Sequence, residues 1–172
     1  SPTKHEWLRG EVLDMAGGTP EHSALAMAVG RELGVALQGR PCRVFSSDLK
    51  IFIAETQLAT YPDLSVVCGK LETTPEDANS VTNPTLIVEV LSDSTEAYDR
   101  GAKFAHYRRL PSLREYVLVS QTDRRIEVFR RTEDGRRWEL EEAGPSQSIT
   151  LSSVGCALSV DAVYFDPLAP TL

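Results

Sequence analysis

Two acids and a lysine stand out as the residues whose types and surroundings could do chemistry. Asp63 opens one apolar run, YPDLSVVC at 61–68, and Glu89 lies inside a second, flanked by Leu86, Ile87, Val88, Val90 and Leu91. A charged glutamate among such neighbours costs free energy unless a partner or a cation offsets it. Carboxylates of this kind are hard oxygen ligands for Mg2+ or Mn2+, ions that keep several waters and take substrate phosphates as further ligands. Lys103 follows on a predicted helix, with Asp99 and Tyr107 four residues to either side on the same face. An ammonium reaching the two acids would neutralise charge building on a phosphoryl group and would orient or help deprotonate an attacking water. The combination suits phosphodiester hydrolysis.

The elements that must position these side chains can be read in order. Residues 4–9, KHEWLR, read as the end of a short helix, and 10–15 as a brief strand. A helix is predicted from Glu21 to about Gln38. Thr19 or Pro20 stands at its entry, Leu25, Ala28, Val29, Leu33, Ala36 and Leu37 lie on one stripe, and Gly39 ends it. Glu32 falls within that stripe and reads as a rim residue with its carboxylate turned to water. Residues 42–53 read as one strand or a bent one with an irregularity at Ser46-Ser47, and 54–60 as a turn. The runs at 61–68 and 84–92 follow as strands, separated by a polar stretch, 69–83, that reads as a mobile loop near the site. Ser92 to Thr95 offer helix caps, a helix runs from Glu96 to about Leu110, and the strand 114–120 completes a βαβ crossover. A hairpin across Asp134-Gly135, an edge strand and a short closing helix make up the remainder.

At 172 residues the chain is expected to be a single domain, large enough for a core without disulfides or a structural metal. The 25 acidic against 18 basic residues, a net charge of -7, argue against coating nucleic acid by bulk positive charge. They leave room for a local basic groove, although the arginines between 100 and 137 read first as a solvated face. Cys42, Cys68 and Cys156 are odd in number and set among apolar neighbours, so they read as small core residues of a cytosolic protein and not as a disulfide frame or a zinc site. No apolar run approaches the roughly 20 residues of a membrane span and no leader is evident, so a soluble, cytoplasmic protein is expected.

Pro62-Asp63 followed by Glu89 on the next strand resembles the PD-(D/E)XK signature of the restriction-endonuclease-like superfamily. More closely, GEV at 10–12, His22, Ser47-Asp48, PDLSVV at 62–67, Val88 to Thr95, Asp99, Lys103, Tyr107 and EYVLV at 115–119 resemble the Uma-type family of bacterial proteins assigned as restriction endonucleases. The resemblance runs from about Gly10 to Phe165. It implies an α/β (α+β) fold with an αβββαβ core, a mixed central sheet with helices on its faces, and extra C-terminal strands. It further implies that Asp63, Glu89 and the backbone carbonyl of Val90 hold Mg2+ or Mn2+. Leu91 stands where the signature lysine belongs, and the family pattern moves that lysine to the next helix, nominating Lys103. Glu11 and His22 match further family positions and are expected to line the cleft, with Glu32 as the helix-borne rival of Glu11. Asp48, Asp99 and Tyr107 are candidate supporting residues, Asp99 as the one that orients Lys103. DNA is the implied substrate and a homodimer the implied assembly.

Other chemistries lack their residues. There is no phosphate-binding glycine loop, GxSxG elbow, HExxH or zinc-spaced cysteine pair. An aromatic content of 7% leaves little for a sugar platform, which disfavours a glycosidase reading of the two acids. Two alternatives to the nuclease stay open. One is an inactive module of the same fold that binds nucleic acid or protein, motivated by Leu91 and the overall acidity. The other is a metal-dependent phosphoesterase acting on a smaller compound.

Overall fold

The computed structural model of the protein describes residues 5–14 and 18–170, with the backbone alone at 11–14. Strands β1 (His5–Leu8) and β2 (Glu11–Asp14) lead into helix α1 (Pro20–Ala36). Strands β3 (Cys42–Phe45), β4 (Lys50–Ile53), β5 (Leu58–Thr60), β6 (Leu64–Cys68), β7 (Ser80–Val81) and β8 (Leu86–Val90) follow. Helices α2 (Glu96–Arg100) and α3 (Ala102–Tyr107) precede β9 (Glu115–Val119), β10 (Ile126–Arg131), β11 (Trp138–Ala143), β12 (Ser148–Leu151), β13 (Cys156–Ser159) and α4 (Val160–Val163).

The strands form a six-stranded sheet in the order β11-β10-β9-β8-β6-β3, a five-stranded sheet in the order β2-β1-β5-β4-β7, and the β12-β13 pair. The expected αβββαβ core is α1, β3, β6, β8, α2 with α3, and β9. Its sheet is mixed, because β3, β6 and β8 pair antiparallel while β8 and β9 pair parallel through the α2–α3 crossover. The hairpin turns at Asp134-Gly135, where the Gly135 amide donates to the Thr132 carbonyl at 2.9 Å.

Alternation along the central strands separates two apolar clusters. Leu86, Val88 and Val90 of β8, with Val117 and Val119 of β9, face α1, whose Leu25, Val29 and Leu33 are buried together with Leu37 at its C-terminal cap. Each such side chain contributes about 2 kcal/mol through burial. Ile87, Tyr116 and Leu118 face the other way, onto Phe104, Tyr107 and Leu110 and onto Ile51, Ile53 and Leu58 of the second sheet. Glu89 belongs by parity to this second face, so it interrupts an apolar layer.

Helix α1 begins as its sequence requires. The Thr19 hydroxyl accepts the His22 amide at 3.1 Å, Pro20 occupies the first turn, and the chain leaves through Gly39 at φ 78°, a left-handed conformation suited to glycine. Glu32 stands at the rim beside Arg31, with its carboxylate partly exposed as expected.

Five local readings are corrected. Residues 5–8 form a strand, not the end of a helix; their period-two burial lets β1 pair with both β2 and β5. Residues 42–53 are not one strand, because the Ser46 hydroxyl and carbonyl accept the amides of Asp48 and Leu49 and reverse the chain from one sheet into the other. The segment read as a turn at 54–60 contains β5. The helix after β8 is broken at Gly101, where φ and ψ are -104° and -97° and a Cβ would lie 3.0 Å from the Ala97 carbonyl oxygen. Finally, Cys42 and Cys68 form a disulfide with a Cα separation of 4.0 Å, since β3–β6 pairing sets them directly opposite one another. Cys156 is a free, half-buried thiol. No helix among the described residues is long and apolar enough to cross a membrane.

Candidate active site

Asp63 immediately precedes β6. The β6–β8 register ends at Leu64 opposite Val88, so one further step sets Asp63 across from Glu89 on the same face of the sheet. The Val90 amide donates to Asp63 Oδ2 at 2.7 Å and fixes the carboxylate at the end of β8. His22 approaches from the first turn of α1, its Nε2 donating to the same Asp63 oxygen at 3.1 Å. Gly18 makes room for this imidazole, since a Cβ there would come within 2.8 Å of His22 Nδ1. The helix entry is itself tied to the sheet: the Thr19 hydroxyl donates to Gln121 Oε1 at 3.2 Å, and Gln121 Nε2 donates to the Leu91 carbonyl at 2.6 Å.

Behind Asp63 the site deepens. Glu89 and Lys103 have side chains only 5% exposed, compared with 16% for Asp63 and 20% for His22. The acid and imidazole therefore stand at the mouth, and the glutamate and lysine form the floor. Lys103 Nζ lies 3.1 Å from Glu89 Oε1, 3.3 Å from Glu6 Oε1 and 4.0 Å from Asp99 Oδ1. The Tyr107 hydroxyl donates to Glu89 Oε1 at 2.8 Å, and the Tyr116 hydroxyl to the Asp99 carbonyl at 2.8 Å. Glu6, His22, Asp63, Glu89, Asp99 and Lys103 surround a cleft of about 440 Å³ that Tyr61, Thr95 and Tyr98 also line.

Among the described residues the cleft holds more acidic than basic side chains. Glu6, Asp63, Glu89 and Asp99 face Lys103 and an imidazole that is cationic only when protonated. Burial, reinforced by the charges of Asp63 and Asp99, pushes the Glu89 carboxyl well above the usual range despite the opposing influence of Lys103 and Tyr107. Burial likewise lifts Asp99 to about 6. Lys103 is driven up instead: burial opposes its charge, but Glu89, Glu6 and Asp99 outweigh it. His22 is raised chiefly by its hydrogen bond to Asp63, against the effect of burial.

Among the described residues no three His, Cys, Asp or Glu side chains form a preformed metal cage. The donor set nevertheless fits a hard divalent ion. Two carboxylates face one another at the entry of β6 and on β8, and Mg2+ is held by one or two carboxylates while waters and phosphate oxygens fill its other positions. The contacts described above engage one oxygen of each, Oδ2 of Asp63 and Oε1 of Glu89.

Asp63, Glu89, Val90, Lys103 and His22 thus come together around one cleft, with Asp99 and Tyr107 beside them. Glu11 lies on β2 with its side chain outside the described residues. Asp48 sits on the exposed turn between β3 and β4 and Glu32 at the α1 rim, and neither lines the cleft. The segment 69–83, expected near the site, is instead tied to the second sheet. There β7 pairs with β4 and Lys50 Nζ meets Asp77 Oδ2 at 2.6 Å.

Glu6 was missed. Its signal is the alternation of HEWL, which places a lone acid on the buried side of β1; a helical reading of the segment conceals it.

A family model described as "Uma2: Putative restriction endonuclease" matches residues 1–161. The chain belongs to the Uma2 family. Two uncharacterized proteins of Synechocystis sp. are 40% and 37% identical to it over 164 and 139 residues, covering 94% and 81% of this chain and 83% and 78% of theirs. The crystal structure of a protein from Anabaena variabilis, described as a putative nuclease belonging to DUF820, superposes with a TM-score of 0.76 at 18% identity. That superposition covers 95% of this chain and 93% of the other. The Uma2 chain accordingly has the restriction-endonuclease-like fold, with a second sheet packed over the α3 face.

Proposed function

We propose that the protein is a divalent-metal-dependent nuclease that hydrolyses phosphodiester bonds in DNA. One observation carries the reading: Asp63, at the entry of β6, stands across from Glu89 of β8 in a cleft whose floor is Lys103, 3.1 Å from Glu89. Membership in a family whose description reads "Putative restriction endonuclease" supports the substrate class. Asp63, Glu89 and the Val90 carbonyl would hold Mg2+ or Mn2+, which when bound polarises a phosphoryl oxygen and lowers the pKa of a coordinated water.

The chain's own residues then have separate tasks. His22 and the Val90 amide fix Asp63 from two directions, leaving its orientation little freedom. Tyr107 holds Glu89 from the core side. Lys103 supplies a cation that its carboxylate neighbours keep protonated throughout the neutral range, so it stabilises charge developing on the phosphoryl group and does not act as a base there. The walls of the cleft keep these charges partly shielded from water, which strengthens each of them. A homodimer, which would present two clefts to the two strands of a duplex, is part of the proposal. A monomer in light scattering at micromolar concentration would remove that part.

The test is cleavage of supercoiled and linear DNA with Mg2+ or Mn2+ and with EDTA, alongside Asp63→Ala and Glu89→Gln. Cleavage should require the metal and should fall at least about 100-fold in each variant. Activity that survives in both variants would overturn the assignment, whereas folded protein without cleavage would favour the binding-module alternative.

A further inference from the structure

We propose that Glu6 is the positioning residue that holds Lys103 at the floor of the cleft, an inference that rests on the nuclease reading of that cleft. Glu6 is 5% exposed and comes from β1, outside the αβββαβ core. Three side chains converge on its carboxylate. Thr60, on the β5 strand that pairs with β1, donates its hydroxyl to Oε1, Tyr98 of α2 donates its hydroxyl to Oε2 at 3.2 Å, and Lys103 Nζ lies 3.3 Å from Oε1. Among the described residues, Glu6 is the acid through which the second sheet reaches into the site.

The partners of Lys103 are not equivalent. Glu89 stands across from Asp63 and is the carboxylate that a metal would engage. Asp99 is more distant, at 4.0 Å. Glu6, anchored by two hydroxyls, is the partner whose position does not depend on what Glu89 is doing. Its role is therefore to keep the ammonium beside the reacting phosphate when Glu89 turns to an ion. This also accounts for a buried acid in a strand that the nuclease core does not need. The Leu91 position lacks the signature lysine, so the cation enters from a helix on a long flexible stem, and such a stem needs an external guide.

The experiment has two parts. Metal-free crystal structures of the wild type and Glu6→Gln are compared, since Gln preserves the acceptor for Thr60 but removes the charge facing Lys103. The ammonium should leave its 3.1 Å contact with Glu89 or lose a single position. In parallel, single-turnover cleavage is measured for Glu6→Gln, Glu6→Asp, Lys103→Met and Glu6→Gln/Lys103→Met. Glu6→Gln should lower the rate about 10-fold with KM changed less than about 2-fold, and Glu6→Asp should recover part of the loss. The double variant should be no slower than Lys103→Met alone. An unmoved Lys103 in the Glu6→Gln structure would overturn the proposal, as would a further 10-fold loss on adding Glu6→Gln to Lys103→Met. If the wild type does not cleave DNA, the nuclease reading fails, and the crystal structures alone decide whether Glu6 positions the lysine.

Discussion

Replacing Glu89 with glutamine should stabilise the metal-free protein while abolishing its proposed activity. Glu89 is 4% exposed, and burial outweighs both Lys103 and Tyr107 in setting its carboxyl well above the ordinary value of 4.5. The folded state therefore binds its proton more tightly than the unfolded state does. Stability from this group is fully present below about pH 4.5 and is lost as pH rises through the folded-state pKa. The amide oxygen of the substituted side chain still accepts the Tyr107 hydroxyl, and Lys103 retains Glu6 and Asp99, so the substitution does not strand the lysine. Each unit of upward shift corresponds to about 1.4 kcal/mol, and for a chain of this size that is roughly 3 to 6 °C in Tm. Thermal melts of wild type and Glu89→Gln in EDTA from pH 5 to pH 8 measure it. The variant's advantage should be small at pH 5 and at least about 3 °C at pH 8. Millimolar Mg2+ should then raise the wild type and leave the variant unchanged. A variant that melts below the wild type at pH 8, or a difference independent of pH, would refute the charge reasoning.

Other consequences follow from the same contacts. Lys103→Met leaves Glu6, Glu89 and Asp99 facing one another without their cation and should cost about 3 to 5 kcal/mol in urea unfolding at neutral pH. Reducing the Cys42–Cys68 bridge, which closes a sequence separation of 26, should cost about 3.5 kcal/mol. Paired melts with and without reductant and a free-thiol count rising from one to three would check it. Thr19→Ala removes the cap of α1 and its link to Gln121, and should lower stability by about 1 kcal/mol in the same urea titration.

Where hydrophobic periodicity and the acids coincided, the sequence was legible. The α1 stripe, the two acidic strands and the crossover through Lys103 could all be placed, because a carboxylate inside an apolar strand announces its own anomaly. What escaped depended on partners far away in the chain. HEWL is too short for its period to separate strand from helix, and its strand character comes from pairing with β2 and β5. The turn at Ser46 that splits one apparent strand between two sheets rests on local hydroxyl and carbonyl contacts that no hydropathy pattern encodes. The disulfide became visible only once the register placed Cys42 opposite Cys68. Glu6, hidden by the first of these, shows how an error in one short element removes a site residue from view.

If Asp63 and Glu89 form one metal-binding pair, anomalous diffraction from crystals soaked in millimolar Mn2+ will place the ion between them. A single strong peak liganded by both carboxylates is expected, absent from Asp63→Ala crystals treated alike. Mn2+ density elsewhere, or none at these two acids in a correctly folded protein, would contradict it.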